Sequence, residues 1–416
     1  MKKFFMLTII LLFSLCLLTY KFYNDSSIDD TSINNIKPQN MLSIMLESND
    51  GSGNYVMTTQ NSWPTDGYVF NSELSKCENG GTLSWDKTNK KVLFEGNNID
   101  KCYVYFDAYV KPQVLLADYV KSLYVSNNGE NGIYYHDASL TNGAGDNSYR
   151  FAGASDAVNN YVCFGSTQSP CPADNLYRII GVFGDRVKLI KSDYATNALL
   201  GTDGDYKQAY TANGWDNSNY KGNNLANIAG YSWNKSVQNT WSLSNLNKIN
   251  LNQNFITKIG AEWANKIDMT TWKVGGNTWA NIGKQPAKTA YQNEIVSPVT
   301  TNTTDNATTY SAKVGLMYAS DYGFAAAPSA WTTQLSSYNG EAIKNANWMY
   351  MGLYEWTISR IADSSSYAFY VTNTGLVYTY NVVNISYAVR PVFYLSSSVN
   401  YVSGSGGATD PITITD

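Results

Sequence analysis

Short runs rich in Val, Ile, Tyr, Phe and Thr, each cut off by Gly, Asn, Pro or Asp, recur along most of this chain. Such punctuation leaves room for short strands and tight turns and for few long helices. Between residues 41 and 110 the runs are MLSIMLES, NYVMTT, GYVFNS, TLSWD, KVLFEG and CYVYFD. In the last of them Tyr103, Tyr105 and Asp107 face one way, and Val104 and Phe106 the other. This predicts a small all-β, sandwich-like module over 41–110. Leu115, Leu116, Tyr119, Val120 and Leu123 then recur at helical spacing, with Pro112 tolerated in a first turn. A connecting helix is expected over 111–125.

The main unit is expected over 126–403, with its core at about 175–397. NLYRIIGVFGDRVKLIKSDY reads as a hairpin turning at Gly184-Asp185. Ser242 or Ser244 can cap a short helix carrying Leu246 and Ile249. Phe255, Ile259, Trp263 and Ile267 fall four residues apart, which predicts a helix through all of them. VGLMYAS reads as a buried strand, with Ser320 or Asp321 capping a brief helix after it. AFYVT and LVYTYN form a hairpin turning at Gly375, and YAVRPVFYL is the last substantial strand. Pro391 inside it implies an edge position or a bulge. Hairpins mixed with interspersed helices place this unit in the α+β class. Residues 404–416 read as a flexible tail.

The first residues set the compartment. Lys2 and Lys3 precede an uncharged apolar run from Phe4 to Leu18, the pattern of an export signal with its positive end held inside. No small-residue cleavage site follows it. Residues 1–20 are therefore expected to be a signal anchor in the membrane, or to release a secreted protein if cleaved. Residues 21–40 are expected to be a flexible stalk. Phe13-Ser14-Leu15 before Cys16 lacks the small residue that lipidation requires. The expected location is the extracellular face of the cell membrane, where disulfides form. Cys77, Cys102, Cys163 and Cys171 allow three pairings. The expected one is local, Cys77–Cys102 and Cys163–Cys171. A metal site lacks both C-x-x-C spacing and a nearby histidine.

Several chemistries are excluded or weakened by count. A net charge of −4 without a basic block argues against nucleic acid. The single histidine, His136, lies in a loop-like stretch without a serine-hydrolase or cysteine-protease motif, so it reads as a solvated loop residue. No cofactor motif is present, and none is expected to bind. A glycosidase needs only two carboxylates, and Glu262, Glu294, Glu355 and Asp321 are the candidates. Asp203 and Asp205 in GTDGDY are conceivable calcium ligands, but the remaining positions of an EF-hand are missing and a turn is the default. The 33 tyrosines suit either sheet surfaces or a ligand that is polar and partly apolar, such as a glycan or peptide.

In order along the chain come TWSLSNLNKINLNQNF, LMYASDYGF, NWMYMGLYEWTISR, GLVYTY and AVRPVFYL. This order resembles a family of bacterial secreted domains of unknown function. That family is similar in pattern to formylglycine-generating-enzyme and C-type-lectin-like folds. The landmarks that match are Trp241, Ser244, Leu246, Leu251, Asn252, Phe255, Trp356, Arg360, Gly375, Arg390 and Pro391. Residues 41–109 also resemble small modules found beside such domains in gut Gram-positive bacteria. The resemblance implies a C-type-lectin-like main domain. It does not carry the chemistry over, because no cysteine follows Cys171. Trp215-Asp216-Asn217 also stands in the wrong order for a calcium-dependent sugar site.

Read as a strand, NWMYMGLYEWTISR puts Tyr354, Trp356, Ile358 and Arg360 on one side and Glu355, Thr357 and Ser359 on the other. A buried Arg360 or Arg390 needs a carboxylate, and Glu355 or Asp321 can supply it as a polar clasp. Trp215, Asp321, Tyr354 and Glu355 are the expected ligand contacts. The expected function is non-enzymatic: a surface protein presenting a lectin-like domain to a glycan or protein. The alternatives are an extracellular carbohydrate-active enzyme using paired carboxylates, and an architectural envelope protein.

Overall fold

The computed structural model describes residues 41–416 except 59–62, 65–66, 97–99, 110–111, 237, 299–306, 383–384 and 416. The expected signal anchor and stalk lie outside the described residues, within which no helix is long and apolar enough to cross a membrane. The chain divides into two units after Pro112.

In the first unit a four-stranded sheet runs in the order Tyr55–Met57, Met41–Glu47, Lys101–Ala108, Tyr68–Cys77. Met41–Glu47 pairs parallel to Lys101–Ala108, while its other partner is antiparallel. A separate hairpin joins Thr82–Asp86 to Lys91–Glu95. Alternation sends Val104 and Phe106 inward, where they meet Ile44, Trp63 and Val92 in one small core. So small a core benefits from a cross-link. Cys77 and Cys102 face each other across paired strands and form a disulfide spanning 25 residues. By loop-closure entropy, replacing both with Ser should cost about 3 to 4 kcal/mol. Urea unfolding followed by Trp63 and Trp85 fluorescence would read that loss, and an unchanged midpoint would contradict it.

The second unit is built on a seven-stranded sheet. Its order is Val314–Gly315, Val392–Tyr394, Arg186–Lys191, Leu176–Phe183, Ser148–Phe151, Ile133–His136, with Tyr161–Cys163 also pairing to Leu176–Phe183. Leu176–Phe183 and Arg186–Lys191 are nearly all buried, so they read as continuous apolar runs rather than as alternations. A three-stranded sheet of Glu355–Arg360, Tyr367–Val371 and Val377–Asn381 packs into the same core. Cys163 and Cys171 form the second disulfide.

The α+β, C-type-lectin-like expectation is corrected by this architecture. Sheets dominate, only 21% of the residues are helical, and the α-helices of the main unit run four to seven residues. The four-residue apolar spacing from Phe255 to Ile267 shows why the sequence overstated helix. Phe255, Trp263 and Ile267 are buried as the period requires. The backbone nonetheless breaks at Gly260, whose φ of +83° ends Ile256–Ile259 before Ala261–Asn265 begins. Upstream, Leu246–Phe255 winds as a π-helix. There the Asn252 amide donates to the Asn247 carbonyl, and that side chain also holds Val314 through both its polar atoms.

Three smaller expectations are also corrected. Val392–Tyr394 is flanked on both sides, by Arg186–Lys191 and Val314–Gly315, so Pro391 marks no edge. It sits just before the strand, where its missing N–H costs nothing and its carbonyl accepts from Lys191 N. Residues 404–415 form no flexible tail. Thr413–Thr415 pairs with Asn400–Ser403, and Ile412 and Ile414 are buried. The helix expected over 111–125 is Leu116–Ser122, and Leu116, Ala117 and Val120 join the core of the second unit.

Candidate functional site

All six residues of Glu355–Arg360 are buried, on both faces of the strand. One face is aromatic: Trp356 donates through Nε1 to Tyr231 O at 2.8 Å, and its ring lies 4.6 Å from that of Tyr387. On the other face, Arg390 grips Glu355 side-on, Nε to Oε1 at 2.7 Å and Nη2 to Oε2 at 2.9 Å. Nη2 also donates to Met349 O at 2.8 Å. Burial pushes the Glu355 carboxyl up against the pull of the guanidinium. Burial would lower Arg390, but the Glu355 charge overrides it and holds the guanidinium protonated. Arg360 takes no part in this pair. It donates to the carbonyls of Val274 and Ile361, and burial lowers it to about 10.

Asp321 belongs to a different network. Its carboxylate accepts from Tyr318 N at 2.9 Å, closing the first turn of Ala319–Phe324, and pairs with Lys188 Nζ at 2.5 Å. Arg150 lies 3.6 Å from its second oxygen and bonds Asp146 at 2.5 Å. Burial works to raise the Asp146 carboxyl, but Arg150 and Ser148 outweigh it and hold it at about 2. Glu294 accepts from Ala319 N, Ser320 N and the Ser359 hydroxyl, and burial pushes it up to about 7. The carboxylates Glu294, Glu355 and Asp321 are thus engaged inside the protein, while Glu262 is exposed on Ala261–Asn265. They do not face each other across an open cleft as a glycosidase pair must.

Asp203 and Asp205 are also spoken for. Asp205 is buried and accepts from Lys235 N and Leu246 N, and Asp203 accepts from the Asn254 amide. Among the described residues only Cys77, Asp100 and Cys102 cluster as metal ligands might, and both cysteines are in a disulfide.

His136 is a buried strand residue, contrary to the loop reading. Its Nδ1 accepts from Ala144 N at 3.0 Å, and its ring sits 5.0 Å from those of Phe324 and Trp331. Burial lowers its pKa well below 6.5, so it folds neutral. The unfolded chain takes up a proton below that value. His136 therefore contributes stability that is present above pH 6.5 and lost as pH falls, at up to about 1.4 kcal/mol per unit. Glu294, raised above its unfolded 4.5, has the opposite slope between 4.5 and 7. The difference between wild type and His136→Gln cancels Glu294 and isolates the histidine. That difference should shrink steadily from pH 7 to pH 5 in chemical denaturation, and a constant difference would contradict the assignment.

The expected contacts Trp215 and Tyr354 do come together, with ring centroids 5.1 Å apart and Tyr354 stacked on Tyr387. The loop that carries Trp215 packs on the turn before Glu355. Lys221 N donates to Met351 O at 3.1 Å, and Tyr354 N donates to the Tyr210 hydroxyl at 3.0 Å. Beside that contact opens a groove of about 540 Å3. Its floor is Arg178, whose guanidinium lies 4.3 Å from the Tyr161 ring and 4.8 Å from Trp348. Asn160, Ser155 and Val158 accept its hydrogen bonds and fix its plane. One wall carries Lys221 over the Tyr350 ring at 4.8 Å, with exposed Asn223 and Asn224. Asp174 and Asp193 also line it, Asp193 accepting from the Tyr220 hydroxyl and Asn223 N.

Glu355 lies behind this groove through Arg390 and Met349, whereas Asp321 lies in another pocket. Tyr161, Arg178 and Lys221 were not singled out in the sequence. They come from three separated segments, and no local pattern marks them as neighbours. Comparison with protein-family models, with curated proteins and with solved structures finds no match to this chain.

Proposed function

We propose that the second unit binds an oligosaccharide in the Tyr161–Lys221 groove without cleaving it, as part of an exported protein tethered to the membrane by its N-terminal segment. The observation that carries this reading is the half-buried Tyr161 ring, packed 4.3 Å from the Arg178 guanidinium and lined by the exposed hydrogen-bonding groups of Lys221, Asn223, Asn224 and Asp174. A pyranose ring offers an apolar C–H face and a rim of hydroxyls, and such a lining matches both. Two disulfides accord with an oxidising compartment. Titration calorimetry with a bound oligosaccharide should show Tyr161→Ala and Lys221→Ala each weakening affinity roughly tenfold, about 1.4 kcal/mol, with the fold retained in both variants by circular dichroism. Full affinity in both variants would refute the groove as the site.

One observation favours a second reading. Asp174 and Asp193 line the same groove, so a hydrolase using that pair is the alternative. Release of reducing sugar that disappears in Asp174→Asn and Asp193→Asn would decide for it.

A further inference from the structure

A separate pocket of about 130 Å3 opens where Asp321 meets the main sheet. One water needs roughly 10 to 15 Å3 on this measure, so the space suits a small molecule of several heavy atoms. Its walls are rings. Lys188 Nζ stands 4.7 Å from the Tyr318 ring, 5.5 Å from both Phe183 and Tyr394, and 5.9 Å from Trp272. The Arg150 guanidinium lies 4.7 Å from Phe183, 5.0 Å from Phe324 and 5.3 Å from Tyr291.

The charges in this pocket do not close. Asp146 and Asp321 are its acids, and both are engaged, by Arg150 with Ser148 and by Lys188 with Tyr318 N. Arg150, Arg186, Lys188 and Lys273 are its cations. Setting aside Arg186, which pairs with Asp268 at 3.9 Å, the cations exceed the acids by one, and that surplus is Lys273, exposed at the rim. The Arg150 side chain is 2% exposed, yet its Nη1 makes no hydrogen bond among the described residues; its nearest carboxylate oxygen is 3.6 Å away. A buried guanidinium N–H without an acceptor is costly, and ring contacts on its faces hold it ready for a planar anion.

We propose that this pocket is a second ligand site, for a small carboxylate, with Arg150 Nη1 as its anchor and Lys273 at its mouth. The proposal does not depend on the groove reading. A purely structural charge cluster, with water on Nη1, is the outcome that would overturn it. Arg150 and Lys188 are too buried to replace safely, so the test plugs the mouth instead. Thr271 is an exposed strand residue lining the opening. The full chain would be titrated with acetate and with lactate, against chloride at matched ionic strength, by thermal shift and by calorimetry. The wild type should show saturable carboxylate binding. Thr271→Trp should fold with the same melting temperature in chloride and bind at least tenfold more weakly. Lys273→Ala should weaken binding by less. Equal responses in wild type and Thr271→Trp, or no response to carboxylate beyond that to chloride, would overturn the site.

Discussion

Arg390→Met should destabilise the second unit by about 3 to 5 kcal/mol, because it strands the Glu355 carboxylate in a site where, among the described residues, no other cation bonds to it. The arginine side chain is fully buried and the glutamate 2% exposed, so water cannot take over. The loss has two parts. One is the desolvated carboxylate, which would have to take up a proton to survive. The other is the Nη2 bond to Met349 O, which fixes the turn leading to Tyr350 and the groove wall. The double variant Glu355→Leu/Arg390→Met separates them. It removes the buried charge altogether and should recover more than half of the stability lost in the single variant. Urea denaturation of the single and double variants measures both. If Arg390→Met costs less than about 1 kcal/mol, the pair behaves like a surface salt bridge and the clasp account fails.

Gly352→Ala should be the most damaging single change near the groove. Its φ is +85°, and an added Cβ would lie 1.9 Å from Asn219 O. The left-handed backbone alone costs a side chain about 1 to 3 kcal/mol. The collision is with backbone, so no rotamer change relieves it. The loop carrying Trp215, Lys221 and Asn223 must move off the 350–354 turn, and the Lys221 N to Met351 O bond goes with it. The expected results are a melting temperature lowered by several degrees, faster proteolytic cleavage between residues 213 and 224, and at least a tenfold loss of oligosaccharide affinity. Unchanged proteolysis with normal affinity would show that the loop does not depend on this contact.

The disulfides illustrate what short-range reasoning reached. Cys77 meets Cys102 and Cys163 meets Cys171, because each pair lies within one local unit. The hairpin turning at Gly184-Asp185 and the one turning at Gly375 are present for the same reason, as turn chemistry is local. Periodicity misled where burial on both faces or a single glycine changed the backbone. Phe255 to Ile267 kept its buried positions and lost its helix at Gly260. His136 looked like a loop residue because its stretch is rich in Asn, Gly, Asp and Ser, yet the strand Ile133–His136 takes it into an aromatic core.

The clasp was half legible. The requirement that a buried arginine meet a carboxylate predicted a partner for Arg390, and Glu355 is that partner. The same rule could not tell that Asp321 would go to Lys188 and Arg150, or that Arg360 would be held by carbonyls. Those choices depend on which strands neighbour each other in the sheet, and strand order is not written in local pattern. The groove was illegible for the same reason: Tyr161, Arg178 and Lys221 become neighbours only after the sheet and the 213–224 loop are in place.

We propose that the groove over Arg178 holds the ligand and that the Glu355–Arg390 pair behind it is structural. The most direct test is a crystal structure of the protein with an oligosaccharide selected by binding. The expected result is sugar density stacked on Tyr161 and hydrogen-bonded to Lys221, with the Glu355–Arg390 pair intact. Sugar over the exposed tyrosines Tyr378 and Tyr380 instead, with the groove empty, would contradict it.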